Sequence, residues 1–235
     1  MNSLKDAIST LAAGPLFKGI DPALLLPMTD ALTEEHWSRR HFILNPHQAA
    51  KHFHVILNGR VKIFLHSQGG RELTLSLLGP GDAFHLESLL DGQEPGVFVQ
   101  ALDDVDALSG PTELWKNWLD TNPAFRCTFR RYVDRRLRDM TELAGDLALH
   151  DTMSRLAHLL LRYFNGIEGP NLIEDLSHEE LANMIGTVRI VINRLFAELK
   201  REGIVDTNAG KLRVLDLQKL LNKAEHHAIG LPSEA

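Results

Sequence analysis

Cysteine is almost absent from this sequence of 235 residues, because Cys127 is its single example. One cysteine cannot close a disulfide within the chain, and it cannot supply a zinc cage or an iron–sulfur cluster that needs several thiolates. The sequence also lacks any run of about 18 apolar residues that would span a bilayer, and it lacks a signal peptide at its N-terminus. We therefore expect a cytoplasmic protein that is not embedded in a membrane.

Motifs of the common enzyme classes are missing as well. The sequence contains no glycine-rich phosphate-binding loop, no setting for a Ser-His-Asp triad and no His-Glu-x-x-His zinc motif. Without a recognisable set of catalytic groups, we expect no enzymatic activity.

An excess of positive charge is absent too, since the net charge is −6. The acidity is uneven, however: residues 1–120 carry 9 Lys and Arg against 15 Asp and Glu, and the remainder is balanced. Residues 187–201 hold four cations and one anion. DNA is attracted by local positive potential, so the overall sign does not argue against a DNA-binding protein.

Short strands separated by turns are predicted from about residue 36 to residue 110. The dipeptide Asn58-Gly59 lies between two apolar runs and predicts a hairpin, because both residues tolerate the positive φ angles of a type I′ turn. Further breaks follow at Gln68-Gly69-Gly70 and at residues 78–82. Strands at this spacing indicate a closed sandwich or roll.

A long helix is predicted from Pro123 to about Leu149, where apolar residues recur at helical spacing. An alternating four-three rhythm is typical of a seam between two helices, here from two copies of the chain. An amphipathic helix that lies on its own domain is the alternative. The predicted seam consists of Phe129, Val133, Met140, Leu143 and Leu147, with Arg136 at the one missing step.

A helix-turn-helix is predicted after residue 176. Ser177 and Glu180 form the pattern of a capping box, in which each side chain accepts from the other residue's amide. Gly186 permits a tight turn, and Thr187 is expected to cap a second helix that runs to Glu202.

The second helix has two faces. Val188, Ile192, Leu195 and Leu199 form an apolar stripe that needs a core. The other face carries Arg189, Ile190, Asn193 and Arg194 near the helix N-terminus, where readers of this type touch base edges.

The side chains on that polar face suit base recognition. An arginine presents paired donors to guanine, asparagine can match adenine, and Ile190 offers apolar contact to a thymine methyl. Two short strands flank the turn at residues 208–211 after the helix and predict a wing, whose Lys211 is expected to contact phosphate. An ordinary solvated helix face is the alternative interpretation.

In this order, the pieces resemble the superfamily of the cyclic-AMP receptor protein and the fumarate-nitrate reduction regulator (CRP/FNR), over roughly residues 14–218. The phrases at 54–62, 79–82 and 147–151 and the helix-turn-helix carry the resemblance. It implies an α+β protein with a cyclic-nucleotide-binding-like β-roll sensor (1–121), a dimerisation helix (122–150) and a winged helix-turn-helix (151–235). It also implies a homodimer that binds a palindromic double-stranded DNA site and contacts RNA polymerase.

Two family patterns are broken. The family's recognition helix usually has Glu after its first Arg, whereas Ile190 follows Arg189 here, so the half-site should differ at that base. Cyclic-nucleotide members have a Gly-Glu-Leu phrase and a later Arg-Ser or Arg-Thr pair that holds the phosphate. Pro95-Gly96 stands where that pair belongs, near Glu94, and the uncompensated anion argues against cyclic AMP as effector.

Haem-based sensing of NO or CO is the remaining input among those the resemblance implies. In the carbon-monoxide-sensing relative, a ligating cysteine precedes a histidine by two residues, and His85 and Glu87 take those positions here. His85 is thus a candidate ligand of haem iron, with Met140 as a conceivable second ligand. Arg126 and Arg130 could hold haem propionates or another acidic effector.

Purely structural interpretations of these residues stay open. His85 could pack within the sheet, Met140 could belong to the apolar seam, and the arginines could pair with the acidic half of the chain. Cys127 is most simply an inert packing residue. A different function, a ligand-binding module for a small acidic effector with weak or degenerate DNA binding, is the alternative to a regulator.

Overall fold

The computed structural model describes residues 4–46, 51–90, 96–164, 172–208 and 211–225. The chain divides into two compact units. The first unit comprises residues 1–65 and 76–139, and the second comprises residues 66–75 and 140–235. Within the described residues, no helix combines the length and apolar character that crossing a bilayer requires.

Two four-stranded sheets dominate the N-terminal part, with the orders β1-β8-β3-β6 and β2-β7-β4-β5. This arrangement confirms the predicted β-roll in an α+β chain. The elements up to the long helix are α1 (Leu4–Ala13), α2 (Pro22–Thr29), β1 (Thr33–Trp37), β2 (Phe42–Leu44), β3 (His52–Asn58), β4 (Val61–His66), β5 (Glu72–Leu78), β6 (Ala83–Phe84), α3 (Leu86–Leu90), β7 (Phe98–Ala101), β8 (Val105–Pro111) and α4 (Thr112–Thr121).

The hairpin predicted at Asn58-Gly59 was wrong. The chain does bend at Gly59, but β3 and β4 enter different sheets instead of pairing with each other. Gly59 has φ +81°, while Asn58 is not among the residues with positive φ, so the type I′ geometry is not met. The turn at Gln68-Gly69-Gly70 does join sheet neighbours, β4 and β5.

Two apolar clusters lie within the described part of the first unit. One fills the space between the sheets and includes Ile56, Val61 and Phe84. The other is rich in aromatic residues and lies where the helices meet β3 and β8; it includes Phe17, Phe53, Trp115, Phe125 and Phe129.

The long helix α5 (Pro123–Leu149) has the predicted bounds and 27 residues. Phe129 is buried in the aromatic cluster of its own unit, so its assignment to a seam between chains was wrong. Val133 packs against the same cluster but is only partly buried, and its place in a seam stays a prediction. Another stripe on α5 is exposed at spacings of three and four residues, and we call it the α5 stripe: Cys127, Arg130, Asp134, Leu137, Thr141, Ala144 and Ala148.

The second unit contains the end of α5 and the C-terminal elements. Asp151 accepts a hydrogen bond from the Ser154 amide at 2.8 Å, which confirms it as the cap of the following helix. The elements are α6 (Thr152–Phe164), α7 (His178–Met184), α8 (Arg189–Arg201), β9 (Val205–Asn208), β10 (Lys211–Val214) and α9 (Leu217–Glu225).

Candidate nucleic-acid interface and effector site

Helices α7 and α8 form the predicted helix-turn-helix. The capping box is present in full: the Glu180 amide donates to Ser177 Oγ at 3.2 Å, and the Ser177 amide donates to Glu180 Oε2 at 2.7 Å. Gly186 in the turn has φ +65°, a conformation that a residue with a Cβ adopts at a steric cost. The local signals that predicted the motif are therefore the ones that build it.

The start of α8 differs from the prediction. Its N-cap is Val188, which offers no side-chain hydrogen bond, so the assignment of the cap to Thr187 was wrong. Val188 is also 46% exposed and lies outside the core. Phe196 takes part in the buried face instead, together with Ile192, Leu195 and Leu199.

The predicted base-reading face is accessible. Arg189, Ile190, Asn193 and Arg194 are all exposed on α8, and Ile190 exposes 76% of its surface. Asn193 Oδ1 is paired with Nδ1 of His178 on α7. That oxygen keeps a second lone pair and the amide nitrogen keeps its donors, so Asn193 can still meet a base.

The ring of His178 stacks on Phe196 at a centroid distance of 5.0 Å. This contact, together with the Asn193 pairing, fixes α7 against the start of α8. Sequence reasoning missed His178, because nothing in its local pattern indicates a partner 15 residues away.

The predicted wing is present as the antiparallel pair β9 and β10. Lys211 lies opposite Asn208 in its register, at the end of the pair nearest the turn. The side chain of Lys211 and the turn residues 209–210 lie outside the described residues. The wing position of Lys211 is thus established, and its phosphate contact stays a prediction.

In the first unit, His85 lies in a buried cluster of rings. His85 is 4% exposed, and its Nδ1 is 3.2 Å from Nδ1 of His54 and 3.2 Å from the carbonyl oxygen of His52. His54 stacks on Phe84 at 4.8 Å, and its Nε2 is 3.7 Å from a carboxylate oxygen of Glu35. His85 Nε2 is buried without a hydrogen-bond partner.

Burial disfavours the charged form of both histidines. Desolvation, with a contribution from His52, lowers the pKa of His54 to about 3. Desolvation, with a contribution from His54, lowers the pKa of His85 to about 3. Both imidazoles are therefore neutral at physiological pH, and a neutral imidazole can bind a metal.

The other predicted effector residues differ from this cluster in their burial. Glu87, Arg126 and Arg130 are exposed, and Met140 is half-buried in the second unit. The hydrogen bonds and ring contacts of His85 are made with His52, His54 and Phe84. Glu94 and Pro95 fall outside the described residues.

Sequence reasoning missed a buried link between the turn before β6 and helix α5. The hydroxyl of Tyr132 accepts from the Ala83 amide at 2.9 Å and lies 3.2 Å from Asp82 Oδ1. Burial raises the pKa of the Asp82 carboxyl and that of the Tyr132 hydroxyl. No spacing pattern relates residues 50 positions apart, so only the fold reveals this link.

Comparison with known proteins agrees with this architecture. Residues 34–122 match the cyclic nucleotide-binding domain, and residues 154–223 match the Crp-like helix-turn-helix domain. A cyclic AMP receptor protein from Thermus thermophilus is 30% identical over 178 residues, which are 76% of this chain and 80% of the relative.

Two further similarities cover more of the chain. A CRP-like cAMP-activated global transcriptional regulator from Mycobacterium tuberculosis is 26% identical over 219 residues, which are 91% of this chain and 98% of the relative. A solved structure of a CooA double mutant from Carboxydothermus hydrogenoformans has a TM-score of 0.74 and 24% identity, and it covers 85% of this chain and 90% of that one. The helix-turn-helix, the cyclic-nucleotide-binding domain and these similarities lead to one conclusion: the chain belongs to the CRP/FNR family of DNA-binding transcription regulators.

Proposed function

We propose that this protein is a homodimeric transcription regulator that reads a palindromic DNA site with α8 and answers to an effector other than a cyclic nucleotide. The observation that carries the DNA-reading role is the division of α8 into two faces. Ile192, Leu195 and Leu199 are buried, while the arginines and Ile190 face solvent at the N-terminal end of the helix. A surface of this kind can enter the major groove without disturbing the core behind it.

The departure at Ile190 makes the DNA site testable. A glutamate can accept a hydrogen bond from cytosine N4, and an isoleucine cannot. We expect selection from a random DNA pool to yield a palindrome whose half-sites lie roughly 34 Å apart, one turn of the duplex. The Ile190→Glu variant should move the preference at one base pair of each half-site towards cytosine.

The exposure of Ile190 makes this variant a clean one, since the new carboxylate stays in water in the free protein. Ala197→Glu, at an exposed position seven residues further along α8, is the matched control and should leave the selected site unchanged. A pool that shows no enriched sequence would support the alternative of a ligand-binding module with degenerate DNA binding. An unchanged preference for Ile190→Glu would remove this residue from the base-reading set.

Dimerisation is proposed to run along the α5 stripe. Regulators of this family act as dimers. The stripe has the three-four spacing of a two-helix seam, and Leu137 within it is 66% exposed. Arg130 and Asp134, one turn apart, can pair across a two-fold axis with the opposite residues of a second copy.

The single cysteine offers a direct test of this seam. In a parallel pair, the two copies of Cys127 would face each other, and a disulfide needs Cα atoms about 4.4–6.8 Å apart. Mild oxidation should therefore give a covalent dimer that Cys127→Ser abolishes. A dimer that stays uncrosslinked, and that Leu137→Glu leaves intact, would place the interface elsewhere.

The effector is proposed to be something other than cyclic AMP. A buried cyclic phosphate needs a cation, and Pro95-Gly96 stands in this sequence where the family has its Arg-Ser or Arg-Thr pair. Calorimetric titration of the intact protein with cyclic AMP should give no heat of binding. Micromolar binding at one site per chain would overturn this part of the proposal.

Haem is the second candidate effector, and the neutral His85 with its unpartnered Nε2 favours it. The donor suits haem iron, but Nε2 is fully buried, so the folded arrangement described here does not fit a porphyrin.

An absorption spectrum of the protein after haem addition decides the question. We expect either no Soret band at all or a Soret band that is the same in the wild-type protein and in His85→Ala. A band that disappears in His85→Ala and persists in His54→Ala would show that His85 leaves its pocket to bind iron, and it would reinstate sensing of NO or CO.

A further inference from the structure

Three side chains converge where α5 ends and α6 begins. Asp146 Oδ1 lies 2.7 Å from His158 Nδ1 and 3.3 Å from His150 Nδ1. The three residues each offer a ligand atom, and these atoms lie within 4.8 Å of one another. The rings of His150 and His158 meet edge to face at a centroid distance of 4.7 Å.

Local structure holds this cluster in place. Asp146 and His150 are one helical turn apart, and the His150 amide still donates to the Asp146 carbonyl at 3.2 Å. Arg155 Nε donates to the His150 carbonyl at 3.0 Å, and Arg155 Nη1 donates to the Ile185 carbonyl at 2.9 Å. The backbone that carries the imidazole of His150 is therefore fixed from two sides.

One polar atom in the cluster is left unsatisfied. His150 Nδ1 is buried and makes no hydrogen bond, although Asp146 Oδ1 is near. That oxygen already pairs with His158 Nδ1. A buried imidazole nitrogen without a partner is costly, and a ligand that accepts its lone pair would remove the cost.

The charges around the cluster are mixed. Arg162 Nη2 lies 4.0 Å from Asp146 Oδ2 and 3.0 Å from Glu142 Oε2. Glu142 therefore shares the positive charge of Arg162, and Asp146 Oδ1 faces the two histidines.

We propose that Asp146, His150 and His158 bind a divalent transition metal of the Zn²⁺ class. Two imidazoles and a carboxylate are ligands that zinc prefers, and metal bonds of about 2.0–2.1 Å at tetrahedral angles put the donor atoms roughly 3.3 Å apart. The observed separations need changes of well under 1 Å for the two pairs that include Asp146 Oδ1. Each histidine would carry its proton on Nε2 and give the lone pair of Nδ1 to the metal, with water as the fourth ligand.

The metal would join the last turn of α5 to α6. This link spans the junction through which the proposed dimerisation helix continues into the DNA-binding domain, so the metal would stabilise one geometry of that junction. The regulatory part of this inference rests on the proposed function. The metal binding itself does not, and the two can fail separately.

Titration of metal-free, full-length protein with Zn²⁺ tests the site. We expect one ion per chain, and a tetrahedral visible spectrum when Co²⁺ replaces Zn²⁺. Loss of a residue that only hydrogen-bonds to a metal ligand typically weakens metal binding by roughly 10–100-fold. His150→Gln and His158→Gln each remove a ligand itself, so each should weaken Zn²⁺ binding by more than that. His36→Gln is the matched control, because it removes a different His–Asp pair, in which His36 Nδ1 lies 2.8 Å from Asp106 Oδ1.

The adjacent histidines His226 and His227 near the C-terminus provide a competing source of binding. Loss of Zn²⁺ binding in His226→Gln/His227→Gln, with retention in His150→Gln and His158→Gln, would overturn the site. Absence of any ion bound at one per chain would do so as well. Circular dichroism of each variant separates loss of the site from loss of the fold.

DNA binding gives the second measurement. If the metal stabilises the junction, Zn²⁺ should change the affinity of the wild-type protein for its selected site and leave that of His158→Gln unchanged. Zn²⁺ binding without any change in DNA affinity would refute the regulatory role and keep the site. If neither the wild-type protein nor the variants bind DNA while the wild-type protein still binds Zn²⁺, the proposed function is contradicted and the metal site is not.

Discussion

The face of α8 that is proposed to read bases and the histidine cluster of the first unit are two polar groupings with opposite physical settings. On α8, Ile190 is 76% exposed and the arginines beside it are open to solvent. In the cluster, His85 is 4% exposed and holds an unpartnered nitrogen. Side chains on the α8 face can exchange water for another partner without a change in the core. A change in the histidine cluster also changes the stability of the fold.

The two groupings also differ in how the chain assembles them. Arg189, Ile190 and Arg194 lie within two turns of one helix, so their proximity follows from helical geometry alone. His54 and His85 come from positions 31 residues apart and meet only because β3 pairs with β6. Substitutions should therefore separate function from stability on α8 and combine them in the cluster.

The largest expected effect is on stability. Phe84 is 1% exposed and stacks on His54, so Phe84→Ala should lower the free energy of unfolding by about 3–5 kcal/mol. Ile190→Ala, at an exposed position, should change it by less than about 0.5 kcal/mol. Denaturant titration at one fixed protein concentration measures both. Equal losses for the two variants would show that the α8 face contributes as much to stability as the histidine cluster does.

The next effect is on recognition. Arg194→Ala should reduce discrimination at one guanine of the half-site by about 1–3 kcal/mol while leaving the unfolding curve unchanged. Arg201→Ala, at the far end of the same helix, is the control and should leave base preference intact. Competition binding with single-base variants of the selected site provides the measurement. An equal loss for specific and nonspecific DNA would refute base reading by Arg194.

A third effect depends on pH. The pKa of His54 and that of His85 are about 3 in the folded protein and 6.5 in an unconstrained chain, so the unfolded state binds more protons between these values. The free energy of unfolding should thus fall as the pH drops below 6.5, by about 2 kcal/mol per histidine at pH 5. In His85→Asn, about half of this fall should be lost, as denaturation curves at pH 7.5 and pH 5 will show.

Asparagine is chosen for that variant because His85 has φ +70°, a conformation that Asn tolerates better than most residues. The comparison of pH slopes cancels the contribution of groups other than His85. Identical slopes for the two proteins would mean that His85 is protonated or exposed in the native state.

The smallest effect concerns the wing. Lys211→Ala should weaken binding to all sequences alike and reduce the slope of affinity against salt by about 1, because a phosphate contact releases one counterion. Measurement of Kd over a range of salt concentrations tests it. A change in base preference with an unchanged salt slope would assign Lys211 a different role.

Several features were predictable because their causes are local. The bounds of α5, the cap at Asp151 and the capping box of Ser177 and Glu180 depend on residues within one or two turns of one another. The exposed face of α8 could be predicted for the same reason. The resemblance to the CRP/FNR family added the order of the domains, which no single pattern would have given.

Except for the cap of α8, which is Val188 and not its neighbour Thr187, the errors arose where neighbours in space are remote in sequence. Asn58-Gly59 has the composition of a hairpin turn, but the two strands that it joins gain more by entering different sheets. Phe129 has the spacing of a seam residue, but the aromatic cluster of its own unit buries it. Apolar periodicity indicates that a helix face is buried, but it does not indicate which surface buries it.

The order of residues along the chain was thus sufficient for the helices, for the caps at Asp151 and Ser177 and for the exposed polar face of α8, because hydrogen bonds and side-chain spacing within a helix act over a few residues. Tertiary structure alone decided the buried pair of His54 and His85, the link from Tyr132 to Ala83 and the meeting of Asp146 with His158. Each of these depends on which surfaces the chain buries against each other, and burial is a property of the whole fold.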